Sequence, residues 1–140
     1  MFSGKKALRS SATVLAILLS GFGVVGCADD GPAPTLQVEV RDWSGWDPQH
    51  RPTPERFELL GEQGEEVTFT ALGDELTVRV VERDGDEITV RTSAAMAPES
   101  AGGGIGLRDP RNEFTVQEGR AVTFATPTTD AGTTVEISWR

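Results

Sequence analysis

The chain has few of the side chains that enzymes use for nucleophilic or metal-assisted chemistry. It holds one cysteine, one histidine and no tyrosine, and its only lysines are Lys5 and Lys6. A single cysteine cannot form an internal disulfide, and the chain beyond residue 27 cannot build Ser-Lys, Cys-His or tyrosine-based sites. One histidine with scattered carboxylates lacks the ligand spacing of a zinc site. The inventory predicts a protein that is not an enzyme and holds no metal or cofactor.

Two arrangements of the residues that are present would still allow catalysis or metal binding. A Ser-His-Asp triad would require His50 to meet a serine, but no serine of the chain lies in a Gly-x-Ser-x-Gly motif. The acidic run at 84–87 lacks the alternate-position ligands of a calcium loop and is explained by a hairpin turn. A pair of carboxylates converging in a cleft, as in a glycan hydrolase, is kept as a weaker alternative because sequence spacing does not test it.

The first 27 residues have the features of a secretory leader. Lys5, Lys6 and Arg9 precede an apolar run over residues 12–25, which is shorter than the roughly 20 residues that span a bilayer. The segment Val24-Val25-Gly26-Cys27 resembles a bacterial lipobox. This resemblance implies cleavage before Cys27 and attachment of acyl chains, palmitate among them, to that cysteine. The implied location is the extracytoplasmic face of the cell membrane, where the protein is held by lipid.

The charge balance excludes other means of attachment. Beyond residue 26, ten basic residues (13 less the three in the leader) stand against 22 acidic ones, so the formal net charge is −12. Such an acidic chain is not expected to bind nucleic acid or to be attracted to anionic lipid headgroups. Membrane attachment is therefore assigned to the lipid on Cys27. The predicted division of the chain is a signal peptide over 1–26, a lipidated tether over 27–35 and a folded domain over 36–140.

Period-two alternation of apolar and polar residues predicts that this domain is all-β. Leu36, Val38 and Val40 alternate with polar residues, as in a strand buried on one face. No stretch shows a helical stripe. The pattern predicts one small antiparallel β-sandwich of seven to eight strands, immunoglobulin-like in general appearance but without the core cysteine pair or a tyrosine corner. The predicted strands are 36–40, 56–60, 65–71, 75–82, 86–92, 112–117, 121–126 and 133–140.

The hairpin near residue 85 allows a prediction of register. Placing Val80 opposite Ile88 and Val78 opposite Val90 keeps the apolar side chains on one face. It leaves a three-residue loop that ends in Gly85, where a type I turn with a bulge favours glycine. We therefore predict a three-residue loop over 83–85.

A weak internal repeat links two segments of the domain. Phe57-Glu58-Leu59, followed by Val67-Thr68-Phe69, resembles Phe114-Thr115-Val116, followed by Val122-Thr123-Phe124. Each segment has a glutamate and a glycine in between. The pattern indicates two strand-turn-strand units built under the same packing rules, with gene duplication as an alternative explanation.

The segment after the first strand is the predicted binding site. It contains Trp43, Trp46, His50 and Arg51, and tryptophan supplies a large contact area with a polar group at low entropy cost. We expect Trp46 and Arg51 to lead the contact. A structural role at the end of the core is expected for Trp43. Trp139, in phase with apolar neighbours, is predicted to lie in the core.

These features predict a membrane-anchored binding or interaction module whose ligand, an envelope protein or a glycan, is unidentified. In the alternative hypothesis the domain is a structural or accessory subunit of an envelope complex that pairs with another chain through a strand edge.

Overall fold

The computed structural model describes residues 31–47 and 49–140 and contains eight β-strands. The predicted signal peptide and Cys27 lie outside the described residues. All eight predicted strands are present, and no helix occurs within the described ranges. The fifth strand is longer than predicted because it continues through residues 93–98. The strands are β1 (Thr35–Ser44), β2 (Glu55–Leu60), β3 (Glu66–Ala71), β4 (Asp74–Asp84), β5 (Glu87–Pro98), β6 (Arg111–Gln117), β7 (Ala121–Ala125) and β8 (Ala131–Trp139).

The strands form two antiparallel layers that nearly close into a barrel. Sheet A has the order β2-β1-β8-β7, and sheet B has the order β3-β4-β5-β6. The last residues of β5, Ala97 and Pro98, leave sheet B and pair with β7 of sheet A. The predicted all-β antiparallel sandwich is confirmed. Its strand order differs from that of immunoglobulin domains, in which strands one, two, five and four share a sheet.

The hydrophobic core lies between the two sheets. Strand alternation directs the predicted row Leu36, Val38 and Val40 inward, and all three side chains are buried. Trp139 is 6% exposed, so the prediction that it belongs to the core is confirmed. Full burial of an aliphatic or aromatic side chain contributes about 1.5–3 kcal/mol, which makes this shared core the main source of stability.

The predicted register of the β4–β5 hairpin is wrong. Val80 pairs with Val90 instead of Ile88, and Asp84 pairs with Glu87 across a two-residue loop. The first residue of that loop, Gly85, has a φ of 60°. This is the position at which a type II′ turn requires positive φ.

A β-bulge reconciles this register with the burial of the apolar side chains. The pairing shifts between Val80 and Glu82, so Val81 is the extra residue on β4. The bulge absorbs a one-residue slip, and Val80 and Ile88 are therefore both buried although they are not opposite each other. The prediction failed because it assumed an uninterrupted ladder.

The two repeated segments form equivalent corners of the sandwich. Phe57 stacks on Phe69 with ring centroids 5.6 Å apart, and Phe114 stacks on Phe124 at 4.2 Å. Each pair joins consecutive strands that belong to different sheets. The equivalence extends to the strand order of both sheets. If β1–β4 exchange labels with β5–β8, the order of sheet A becomes the order of sheet B. The domain thus has two topologically equivalent halves.

Short turns and long loops lie at opposite ends of the sandwich. Since neighbouring strands are antiparallel, the turns 61–65, 85–86 and 118–120 share one end with residues 31–34, and we call this end the turn pole. The other end, the loop pole, carries the loops 45–54, 99–110 and 126–130 and the turn 72–73. The ten residues of β1 separate the two poles by about 30 Å.

Candidate functional site

A cleft of about 600 Å³ opens at the loop pole. It lies between the end of β1 and the end of β3, and it is also bordered by the start of β2, the start of β8 and part of the loop 45–54. Its lining includes Asp42, Trp43, His50, Glu55 and Leu72. We refer to it as the loop-pole cleft.

The structure brings two of the four predicted binding residues to this cleft. Trp43 and His50 contribute to the lining, whereas Trp46 and Arg51 do not. Trp46 is 80% exposed, and Arg51 is exposed without an ion pair among the described residues. Trp46 is therefore displayed at the same pole of the molecule but outside the cleft.

Trp43 lies in β1, which continues to Ser44 and does not end before the tryptophan as predicted, and it pairs with Gly132 of β8. A Cβ atom added at Gly132 would lie 2.7 Å from Cζ2 and 2.8 Å from Cε2 of the indole, so the ring rests directly on the glycine. Its Nε1 atom is buried and has no hydrogen-bond partner within the described residues. The adjoining loops are joined where the Gly45 N–H donates to the Asp130 carbonyl oxygen at 2.7 Å. Trp43 is half-buried and does not belong to the cluster of buried core residues, so its expected role at the end of the core stays a prediction.

Leu72 projects from the edge of the cleft in a backbone conformation that favours glycine. Its φ of 50° is the only positive value at a non-glycine residue in the described part of the chain, and the next residue, Gly73, also has positive φ. Two successive positive φ angles are typical of a type I′ hairpin turn, for which Asn-Gly is the favoured pair. A branched apolar residue here is strained by roughly 1–2 kcal/mol. Leu72 is nevertheless 46% exposed.

A hydrogen-bonded chain ties this turn to the floor of the cleft. The Leu72 N–H donates to Thr133 Oγ1 at 3.1 Å, and that hydroxyl donates to Asp42 Oδ1 at 2.6 Å. Thr133, at the centre of the chain, is fully buried, whereas Asp42 and Leu72 at its two ends are exposed. This network holds the strained turn in place and orients the Asp42 carboxylate.

The cleft carries uncompensated negative charge. Glu55 pairs across the strands with Val40, which makes Asp42 its diagonal neighbour on the same face, at a typical Cβ separation of roughly 7–8 Å. Neither carboxylate takes part in an ion pair with any described residue, and no arginine lines the cleft. The arrangement suits a hydrogen-bond donor or a cation.

Sequence reasoning missed Asp42, Glu55 and Leu72. A signal for Asp42 was present, because it continues the inward-facing row of Leu36, Val38 and Val40 with a charge. Nothing local indicated that Glu55 or Leu72 would join it, since they reach the cleft from other strands.

The described residues contain no helix long and apolar enough to cross a membrane, and no three histidine or acidic side chains among them are grouped as metal ligands. Comparisons with protein-family models, curated proteins and solved structures find no match to this chain. The loop-pole cleft is therefore interpreted from its own geometry.

Proposed function

We propose that this protein is a lipid-anchored envelope protein whose β-sandwich displays the loop pole to a binding partner. The observation that carries the proposal is that the two ends of the sandwich differ. The chain leads into the domain at the turn pole, whereas the exposed Trp46, the strained Leu72 and the loop-pole cleft all lie at the opposite pole.

The segment that leads into the domain is held against the turn pole. The Gly61 N–H donates to the Pro34 carbonyl oxygen at 2.7 Å. The guanidinium of Arg83 donates to the carbonyl oxygens of Gly31 and Pro32 in long hydrogen bonds of 3.4 Å. Three residues lie between Cys27 and Gly31, so the four steps from one residue to the next give a reach of at most about 14 Å. An anchor on Cys27 would therefore keep the turn pole near the lipid and direct the loop pole outward.

Membrane attachment is tested by replacing the lipidated residue. Cys27→Ala is expected to release the protein from the membrane or to leave its leader uncleaved. Two or more acyl chains hold a protein stably on a membrane, and the variant has no cysteine to which they could be attached. Detergent phase partition and intact mass measure both effects. A variant with unchanged partition and unchanged mass would contradict the proposed anchor.

Partner binding is tested by chemical crosslinking in intact envelopes. The variant carries Trp46→Ala together with Leu72→Asn, which removes the two most exposed of the four large apolar side chains that are exposed at the loop pole. The matched control is Leu60→Ala, an exposed leucine at the end of β2 next to the turn pole. A crosslinked partner retained by the control and lost by the variant would support display through the loop pole. A partner retained by both variants would contradict it.

A second candidate function is that of an accessory subunit which pairs through a strand edge. The observation in its favour is that β2 and β3 each pair with one neighbour only among the described residues. Edges of this kind accept strands from other chains.

A further inference from the structure

The two equivalent halves of the domain differ at the loop pole. In the second half, Ala97 and Pro98 at the end of β5 pair with Ala125 and Phe124 of β7. The Glu99 N–H extends this pairing by donating to the Thr123 carbonyl oxygen at 3.1 Å. The edge of β7 is therefore covered by β5 at its loop-pole end.

The corresponding edge in the first half is open. The strand equivalent to β5 is β1, which stays beside β8 from Leu36 to Ser44 and does not cross to the other sheet. The strand equivalent to β7 is β3, which pairs with β4 alone in the described structure. The loop-pole cleft lies along this open edge, in the position that the end of β5 occupies in the other half.

The open edge presents backbone hydrogen-bonding groups to the cleft. Ala71 and Asp74 pair across the two-residue turn, so the alternation of an antiparallel ladder directs the N–H and C=O of Thr70 away from β4. Thr70 also lines the cleft. When Phe69 is aligned with Phe124, the residue equivalent to Thr70 is Ala125, which pairs with Ala97 of β5.

The charges of the cleft determine which segment fits it. Asp42 and Glu55 offer two carboxylates without a cationic partner among the described residues, and Leu72 offers an apolar surface at the rim. A second copy of this chain carries the same formal net charge of −12 beyond residue 26 and is repelled. A basic side chain, by contrast, satisfies both carboxylates while its methylene stem packs on leucine.

We propose that the loop-pole cleft binds an extended, basic segment of a partner protein, which pairs with the open edge of β3 and places a lysine or arginine between Asp42 and Glu55. The main chain of the segment supplies affinity through Thr70, and its alternate side chains supply specificity. The inference rests on the proposed binding function and identifies the chemistry of the partner.

The experiment measures binding of synthetic peptides to the purified full-length gene product in mild detergent. The probe is a fluorescein-labelled nine-residue peptide of alternating valine and arginine, titrated by fluorescence anisotropy at 0.1 M salt. Two control peptides are used. One replaces arginine by glutamate, and the other carries N-methyl groups on alternate amides so that it cannot pair as a strand.

Two pairs of variants test the contacts. Asp42→Asn with Glu55→Gln removes the cleft charges, and Glu99→Gln with Glu118→Gln removes the same charge outside the cleft. Thr70→Pro removes the edge N–H without breaking the ladder to β4, whereas Thr70→Val keeps it. We expect the basic peptide to bind and its affinity to fall about tenfold or more in Asp42→Asn/Glu55→Gln and in Thr70→Pro. The Glu99→Gln/Glu118→Gln variant should bind as the native protein does, and Thr70→Val should lose less affinity than Thr70→Pro.

Several outcomes would overturn the proposal. The first is that the basic peptide shows no saturable binding, and the second is that both charge variants lose affinity equally. The third is that the N-methylated peptide binds as well as the unmodified one, and the fourth is that the protein self-associates through this edge. Thermal unfolding of every variant separates loss of fold from loss of binding. If the basic peptide does not bind but crosslinking in envelopes still depends on Trp46 and Leu72, the proposed function stands. The proposal that the partner contributes a basic segment is then rejected.

Discussion

At the scale of single residues, Gly132 shows how closely the loop pole is packed. The residue is buried beneath the Trp43 indole, and a side chain here would also meet the Thr126 hydroxyl. We expect Gly132→Ala to lower the free energy of unfolding by about 1–3 kcal/mol, because the Trp43 indole and the Thr126 hydroxyl, which accepts a hydrogen bond from the Thr133 N–H, have to move. Urea unfolding monitored by tryptophan fluorescence measures the change.

The control for this prediction is Gly104→Ala in the loop 99–110. The nearest atom to an added Cβ is Ser100 Oγ at 3.5 Å, an ordinary contact. Stability should remain unchanged or rise slightly, since alanine restricts the unfolded chain. Equal destabilisation at both glycines would mean that the packing of Trp43 on Gly132 is not what excludes a side chain.

Leu72 is a residue at which stability and the proposed function should oppose each other. Leu72→Asn creates the favoured Asn-Gly pair for a turn with two positive φ angles, so the midpoint of urea unfolding should rise by the equivalent of about 1 kcal/mol. The same substitution removes the apolar rim of the cleft and should weaken partner crosslinking. A variant that is less stable than the native protein would show that the leucine side chain contributes more packing than its backbone strain costs.

At the scale of elements, β1 and β2 are linked by an ion-pair network on the outer face of sheet A. Arg56 Nε donates to Glu39 Oε2 at 3.1 Å, and Arg41 binds Oε1 of the same carboxylate. Hydrogen bonds from Arg56 first, and then from Arg41, lower the pKa of Glu39 below its ordinary value of 4.5. A carboxylate with a depressed pKa contributes stability above its unfolded-state pKa and loses it as the pH falls through the folded-state pKa.

The pH dependence of unfolding tests this network. Below about pH 4.5, the melting temperature of the native protein should decrease more steeply than that of Glu39→Gln, which has no such charge to lose. The control is Glu58→Gln on the outer face of β2, because Glu58 makes no ion pair with a described residue. Parallel melting curves for the native protein and Glu39→Gln between pH 7 and pH 3 would contradict the prediction.

At the scale of the whole molecule, the separation of the two poles predicts their accessibility on the cell. Two variants that each add one cysteine to the anchored protein are compared in protoplasts, Gly104→Cys at the loop pole and Asp86→Cys at the turn pole. Because the turn pole is proposed to face the lipid, a polymer-linked maleimide should label Gly104→Cys several times faster than Asp86→Cys. The two rates should converge once the membrane is dissolved with detergent. A difference that persists in detergent would trace to local reactivity and contradict the orientation.

The amino-acid sequence by itself determined the eight strands, the all-β class and the core positions of Leu36, Val38, Val40 and Trp139. The physical reason is local, since alternation along a strand reports directly which face is removed from water. The two phenylalanine corners were visible for the same reason, as each lies within one strand-turn-strand segment. The exposure of Trp46 required coordinates, because a tryptophan in a loop is compatible with either a buried or an exposed environment. The contact of Trp43 with Gly132 also required them, because it depends on the pairing of β1 with β8.

Only the tertiary structure decided how the strands combine. The β-bulge at Val81 shifted the predicted hairpin register, and the passage of β5 from sheet B to sheet A covered one edge while the equivalent edge of β3 stayed open. The cleft joins Asp42, Glu55 and Leu72 from three separate strands and turns. Their proximity depends on long-range pairing and on packing between the sheets, which alternation within a single strand does not encode.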